Sequence, residues 1–459
     1  MYIYLSKYFV LIKNIQSIFL ALFILANITV SSQTDGFRFF DKNRKFEDVG
    51  FKLINNIIII PLEINGKQLN FILDTGVNKT IVFNSSPADT VFLRLDQKFQ
   101  LQGLGKGKPV DAIVSKNNRF RIQNLISSNQ SVFIVLKDDF DLSAKMGITV
   151  HGVIGYDVLK NLILRINYKS KKIRFFNPDT FSYKQCRKCE VFPLTIYQNK
   201  PYIDVNITLD EEDKKIPVTM LLDSGGSDAI WLFEHSKESL ITPEKYFLDF
   251  LGVGLSGTIY GKRSRISSLE LGGFSIKNPT VSFLDSVSTK NARKFKKRNG
   301  SIGSGILKRF KVWIDYPNKR LTLKKNGSFT GGFNYNMSGI EVVYNGKMLV
   351  EEATTNFGTS YGRSANSGSA GNSVSLVTNY VFRFKPSFRV NDVLKGSPAD
   401  LAGVKINDVL MKINGKPVYN LKLDDIIGKF QQKPNKTIRL TILRDDKILT
   451  IKFKLKKIV

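Results

Sequence analysis

"FILDTGVNKT" (residues 71–80) and "MLLDSGGSDAI" (220–230) decide how this chain is read. Each runs an apolar strand into an aspartate, a hydroxyl and a glycine, and Asp74 and Asp223 stand 149 residues apart, as do Thr75 and Ser224. A single turn of this kind is common, so the test is whether the surroundings repeat as well. They do. "GVIGYDVLKNLILRINYKSKKIRF" (152–175) returns as "GSIGSGILKRFKVWIDYPNKRLTL" (300–323), with Gly155 and Gly303 148 residues apart, as are Tyr168 and Tyr316. Two landmarks per copy at matching offsets mark a duplicated unit.

Each copy reads as short strands with β-branched alternation and Gly, Asn or Pro turns. In "NNIIIIPLEINGKQLNFIL" (55–73) the Asn-Gly pair is a hairpin turn. One short helix follows each Ile-Gly, at 156–161 and 304–310. Copy one spans 45–178 and copy two 190–327, with a linker at 179–189. The last third differs. "GSPADLAGVKINDVLMKINGKPV" (396–418) sets Ser397 as a helix cap with Pro398 at the first helical position, and Gly403 closes the helix. A helix over 421–430 and two alternating strands, "TIRLTIL" and "ILTIKFKL", complete this module. "TSYGRSANSGSAGNS" (359–373) is rich in Gly and Ser and reads as a mobile loop inside it.

The 459 residues carry 69 Lys and Arg against 39 Asp and Glu, a net charge of +30. These cations are spread along the chain without a recognition element, which argues against a nucleic-acid partner and for a compositional bias. The densest run, "RKFKKR" (293–298), reads as a solvated surface loop. Lys7 and Lys13 precede an apolar stretch from Ile15 to Val30, then "VSSQ", the pattern of a signal peptide over 1–32. The expectation is an exported protein, periplasmic or secreted, with no other integral membrane segment; an uncleaved N-terminal anchor is the alternative. The two cysteines, Cys186 and Cys189, lack the context of a redox fold or of a zinc site and read as a linker disulfide. No metal and no cofactor is expected.

The paired Asp-hydroxyl-Gly motifs with their Ile-Gly partners resemble the aspartic peptidases of the retropepsin and pepsin superfamily, with both lobes in one polypeptide. The whole chain from about 45 to 457 resembles the bacterial exported members that carry a C-terminal PDZ domain. That resemblance implies a mainly β protein, with two homologous pepsin- or retropepsin-like β-barrel lobes followed by a PDZ domain (330–457) holding two short helices and an insertion near 356–373. It implies an endopeptidase whose dyad is Asp74 and Asp223. Two carboxylates in contact share one proton, so one member activates water while the other protonates the scissile carbonyl. Thr75 and Ser224 would cross-link the two loops, Gly76 and Gly225 would allow close approach, and Ile154-Gly155 and Ile302-Gly303 would thread them.

Some positions depart from the family pattern. Val77 and Gly226 follow the glycines where Ala, Ser or Thr is usual, and the second threading motif, Ser301-Ile302-Gly303, is one apolar residue short. Flaps covering the substrate are expected at 101–113, around Gly103 and Gly105, and at 250–264, around Gly254 and Gly257, with Tyr260 near the substrate. His151 and His235 are read as structural. In the PDZ module, Met337, Ser338, Gly339 and Ile340 are expected to offer backbone N–H groups to a peptide C-terminus. Expected partners are polypeptide substrates and peptide C-termini, the catalytic unit being a monomer. The rival reading is an inactive peptide-binding or adaptor protein that keeps both folds.

Overall fold

The computed structural model describes residues 36–83, 93, 95–135, 141–211, 214–362 and 371–459. The expected signal peptide at 1–32 lies outside them. Among the described residues no helix is long and apolar enough to cross a membrane.

The duplication is visible as two sheets built around the same crossing. In copy one, Gly152–Ile154 runs parallel to the end of Lys67–Leu73 and antiparallel to Thr80–Phe83. In copy two, Arg298–Ile302 runs parallel to Ile216–Leu222 and antiparallel to Ile230–Phe233. Matching residues hold the crossings. The backbone N–H of Asn70 donates to His151 Nδ1 (3.0 Å), and that of Thr219 to Asn299 Oδ1 (2.9 Å). His151 is therefore a structural group, with an asparagine doing its work in the other copy. Gly152 and Gly300 leave no room for a side chain, since a Cβ would fall 2.1 Å from the Ile81 carbonyl oxygen and 1.9 Å from that of Trp231.

A third sheet of six strands joins the copies, with Ile163–Asn167 of copy one paired antiparallel to Phe310–Asp315 of copy two. One continuous apolar core runs through both copies and this sheet. The helices after each Ile-Gly are Tyr156–Leu159 and Ser304–Leu307. Copy one begins earlier than 45, because Arg38–Phe39 pairs with Leu125–Val135 while Phe37 and Phe39 enter the core. "DGFRFFDK" hides this, its aromatics being flanked by polar residues in no regular period. Cys186 and Cys189 are disulfide-bonded, and Cys189 opens the strand Cys189–Pro193.

The C-terminal module has its own core, centred on Val390, Leu410, Ile426, Phe430 and Leu440. Ser397 caps the helix Pro398–Leu401 by accepting from the Asp400 N–H, and the second helix is Leu423–Phe430. The expected mobile loop needs correction. Ile340–Gly362 and Gly371–Val393 pair antiparallel along their full length, so 359–362 and 371–373 are strand ends of a long β-ribbon, and residues 363–370 lie outside the described part. Cross-strand pairing satisfies the backbone of a Gly- and Ser-rich segment whatever its side chains, which is why composition misread it.

Gly300→Ala should cost about 3 kcal/mol in urea unfolding, the upper range for a forced overlap in a packed interior. Gly428→Ala, in the helix Leu423–Phe430 with open space around it, should instead gain about 0.5 to 1 kcal/mol.

Candidate active site

The strands Lys67–Leu73 and Ile216–Leu222 each end at an aspartate whose backbone N–H is held by the threading strand. Asp74 N–H donates to Ile154 O (2.9 Å), and Asp223 N–H to Ile302 O (3.0 Å). The next residue binds the two loops together. Thr75 Oγ1 donates to Leu222 O (2.6 Å) and accepts from the Ser224 N–H (3.0 Å). Ser224 Oγ donates to Leu73 O (2.8 Å) and accepts from the Thr75 N–H (3.1 Å). Both hydroxyls are fully buried, so four hydrogen bonds are made where water cannot compete.

This cross-link brings each carboxyl over the other copy's glycine. A Cβ on Gly225 would lie 2.3 Å from Asp74 Oδ2, and one on Gly76 would lie 3.4 Å from Asp223 Cγ. The Gly76 N–H donates to Asp74 Oδ1 (2.7 Å) and the Gly226 N–H to Asp223 Oδ1 (2.8 Å). Gly226 thus serves the carboxylate with its backbone, while Val77 turns into an apolar cluster with Ile81 and Phe133. Gly155 and Gly303 pass so close under the loops that a Cβ would lie 2.0 Å from Val77 O and 2.3 Å from Asp228 O. Burial pushes Asp74 up to about 8, and the charge of Asp223 adds to the effect. Burial also raises Asp223, but Arg298, the Gly226 N–H and Lys200 oppose it.

The two glycine-rich hairpins interlock. Ser256 N–H donates to Leu104 O (3.0 Å), Gly107 N–H to Ser256 O (2.6 Å) and Gly103 N–H to Ser256 Oγ (3.2 Å). A Cβ on Gly105 would fall 2.4 Å from Ser256 O, and one on Gly254 2.3 Å from Leu104 O; Gly257 turns the second tip at φ +98°. The tips also exchange lobes, with Val253 and Leu255 packing beside Val77 and Leu104 beside Trp231. Tyr260, expected near the substrate, is half exposed and its hydroxyl donates to Asp392 of the ribbon (3.3 Å).

The PDZ loop differs from expectation. Met337 N–H donates to Phe430 O, Ser338 N–H to Asn336 Oδ1 and Ile340 N–H to Ser338 Oγ. Gly339 abuts Ser397. Three of the four expected donors are therefore used inside the module. The module also touches both copies. The helix Leu142–Met146 of copy one lies against the strand that starts at Ile340, with Lys145 Nζ 3.2 Å from Glu341 Oε1, and Asn55 N–H donates to Asp424 Oδ1. Phe247, at the base of the second flap, packs against Tyr335.

Sequence reasoning missed several residues beside the pair. Ser304 Oγ donates to Ser224 O (3.1 Å), and the buried Tyr168 hydroxyl lies 3.3 Å from it. Asp228 accepts from the Trp231 indole (2.7 Å) and the Arg263 guanidinium (3.0 Å), fixing the loop after Asp223. Arg298, read as part of a solvated run, is only 4% exposed. Its offset of 148 from the apolar, buried Val150 is the signal that could have marked it as inward-facing.

Comparison with known proteins agrees with this architecture. Residues 60–158 match the aspartyl protease family model and residues 389–444 the PDZ domain model. A probable CtpA-like serine protease of Staphylococcus aureus is 36% identical over 69 residues, 15% of this chain and 14% of that protein. Serine endoprotease DegS of Salmonella typhimurium is 37% identical over 62 residues, 13% of this chain and 17% of that protein. The chain thus spans about a sixth or less of the curated relatives it matches. Among solved structures, the aspartic proteinase from Irpex lacteus aligns with a TM-score of 0.42 at 13% identity, covering 62% of this chain and 99% of that one. The chain thus joins a duplicated, mainly β unit, whose first copy matches the aspartyl protease family model, to a C-terminal module that matches the PDZ domain model.

Proposed function

We propose that this protein is an exported aspartic-type endopeptidase in which Asp74 and Asp223 activate water for peptide-bond hydrolysis. The observation that carries the reading is the reciprocal cross-link of Thr75 and Ser224, which sets two carboxyls against each other's glycines. Two buried acids in contact cannot both ionise, so the pair retains one proton near neutrality. Asp223, with Arg298 and Lys200 beside it, is the ionised member and takes a proton from water. Asp74 keeps its proton and donates it to the scissile carbonyl oxygen. The tetrahedral intermediate collapses when the leaving nitrogen is protonated, and the pair returns to its starting charge. The interlocked flaps open to admit an extended polypeptide.

The PDZ module is read as a regulator of access more than as a free C-terminus binder. Its support is the contact of Leu142–Met146 with the ribbon base, and the anchoring of the second flap through Phe247 and Tyr260. A peptide C-terminus seated at this base would compete with the docked helix.

Incubation of the full chain with a diverse peptide mixture, read by mass spectrometry from about pH 3 to 9.5, tests the enzyme reading. Asp74→Asn and Asp223→Asn should each lower cleavage at least about a thousandfold. The profile should be bell-shaped. Below the titration of Asp223 both acids are protonated and no base remains. Above about 8, the value to which Asp74 is raised, no acid remains. A folded protein that cuts nothing at any pH points instead to the adaptor. Lys145→Glu, which sets two negative charges together at Glu341, should raise kcat/KM roughly fivefold by loosening the docked module; an unchanged value would disprove control by that contact.

A further inference from the structure

The duplication supplies an internal control, because each position in one copy has a structural equivalent in the other. Beside Asp74, copy one buries the sheet face under an apolar cluster of Ile57, Ile59, Ile72 and Val150, with Val153 packed against it. Strand register finds the equivalents in copy two. Ile59 and Val153 both pair with Ile72, while Tyr202 and Ser301 both pair with Leu221. Two residues before Ile59 and Tyr202 stand Ile57 and Lys200; two before Gly152 and Gly300 stand Val150 and Arg298. One apolar cluster has become a cationic, hydrogen-bonded one.

Arg298 is its centre. Its Nε donates to Gly300 O (3.2 Å) and its Nη2 to Ser301 Oγ (2.7 Å), and the Tyr202 ring centroid lies 6.0 Å from the guanidinium carbon. The guanidinium lies 5.0 Å from the Phe233 ring centroid. Phe295 stacks on Tyr197 at 4.3 Å and meets Tyr202 edge-on at 4.8 Å. Ser301, the polar departure in the second threading motif, is the group that anchors this cation. A buried guanidinium stays charged and needs compensating negative charge. The carboxylates that stabilise Arg298 are Asp223 and, more weakly, Asp74.

We propose that Arg298, held by Ser301 and packed beside Tyr202, is a positioning residue that breaks the symmetry of the aspartate pair, keeping Asp223 as the ionised base and leaving the shared proton on Asp74. The proposal rests on the peptidase reading and adds to it the residue that selects Asp223 over Asp74 as the base. The groups that act on Asp223 are Asp74, Arg298 and Lys200, the Gly226 N–H, and the hydroxyls of Tyr202 and Tyr168; Tyr316 acts on Asp74. Lys200 is half-buried and acts on both aspartates, so it contributes little asymmetry. Val150, at the Arg298 position of copy one, brings no charge to Asp74.

The full chain with carbon-13 in its aspartate carboxyls, titrated by NMR, tests this without any need for cleavage. Signals are assigned from the Asp74→Asn and Asp223→Asn proteins. Asp223 should follow the lower of the two steps and Asp74 the upper; the reverse order overturns the proposal even if the protein cuts peptides. In kinetics, Arg298→Leu should move the acid limb of kcat up by roughly one pH unit, about a tenfold loss at the acid end, and Arg298→Lys should restore most of it. The Tyr202→Ile, Arg298→Val, Ser301→Val triple variant, which copies the packing of copy one, replaces the Leu variant should that not fold. A raised KM with an unmoved limb would make the cluster a substrate-recognition site and overturn the proposal. Absence of cleavage by the unaltered protein counts against the peptidase reading alone, and the NMR titration still decides the role of Arg298.

Discussion

Everything at the centre of this molecule depends on two hydroxyls that donate across the pseudo-twofold axis. Thr75 and Ser224 each satisfy a backbone carbonyl and a backbone N–H of the opposite loop. Loops that end strands ordinarily leave such groups to water. Here they are buried, and leaving a buried donor or acceptor unpaired costs about 1 to 3 kcal/mol. The loops therefore have one comfortable separation, and the carboxyls inherit it. Gly225 is a consequence of that spacing, since a Cβ there would collide with the Asp74 carboxyl.

The fold was legible because duplication turned two weak motifs into a pattern with a fixed offset. The threading glycines were legible for the same reason, and the crossings of Gly152–Ile154 and Arg298–Ile302 follow directly. Three features stayed hidden. The β-ribbon from Ile340 to Val393 is held by backbone pairing, to which side-chain composition is nearly blind. The start of copy one rests on two buried phenylalanines, Phe37 and Phe39, and one short strand pairing. Arg298 was concealed by its neighbours, because a charge run is averaged by eye while burial is decided one residue at a time. Its strand position, opposite Thr219, turns it inward and leaves Lys296 and Lys297 outside.

The PDZ module is less separate than a C-terminal appendage would be. Its core is its own, yet Phe247 enters it from the second flap and Asp424 caps a turn of copy one. Three of the four donors of the expected carboxylate cradle are used internally, so the module reads better as a part seated on the duplicated unit than as an open receptor. The same contacts explain why Tyr260 faces Asp392 and not the glycine-rich tips.

The interlobe sheet, where Ile163–Asn167 pairs with Phe310–Asp315, makes one structural object of two halves already linked in a single polypeptide. An assembly of two identical chains would have to accept every substitution twice, once on each side of its axis. A fused pair is released from that constraint. Val150 and Arg298, or Val153 and Ser301, occupy equivalent places with opposite chemistry, which no symmetric dimer is able to encode. Fusion lets one half carry apolar packing where the other carries a charge, and two acids alike in sequence become distinguishable.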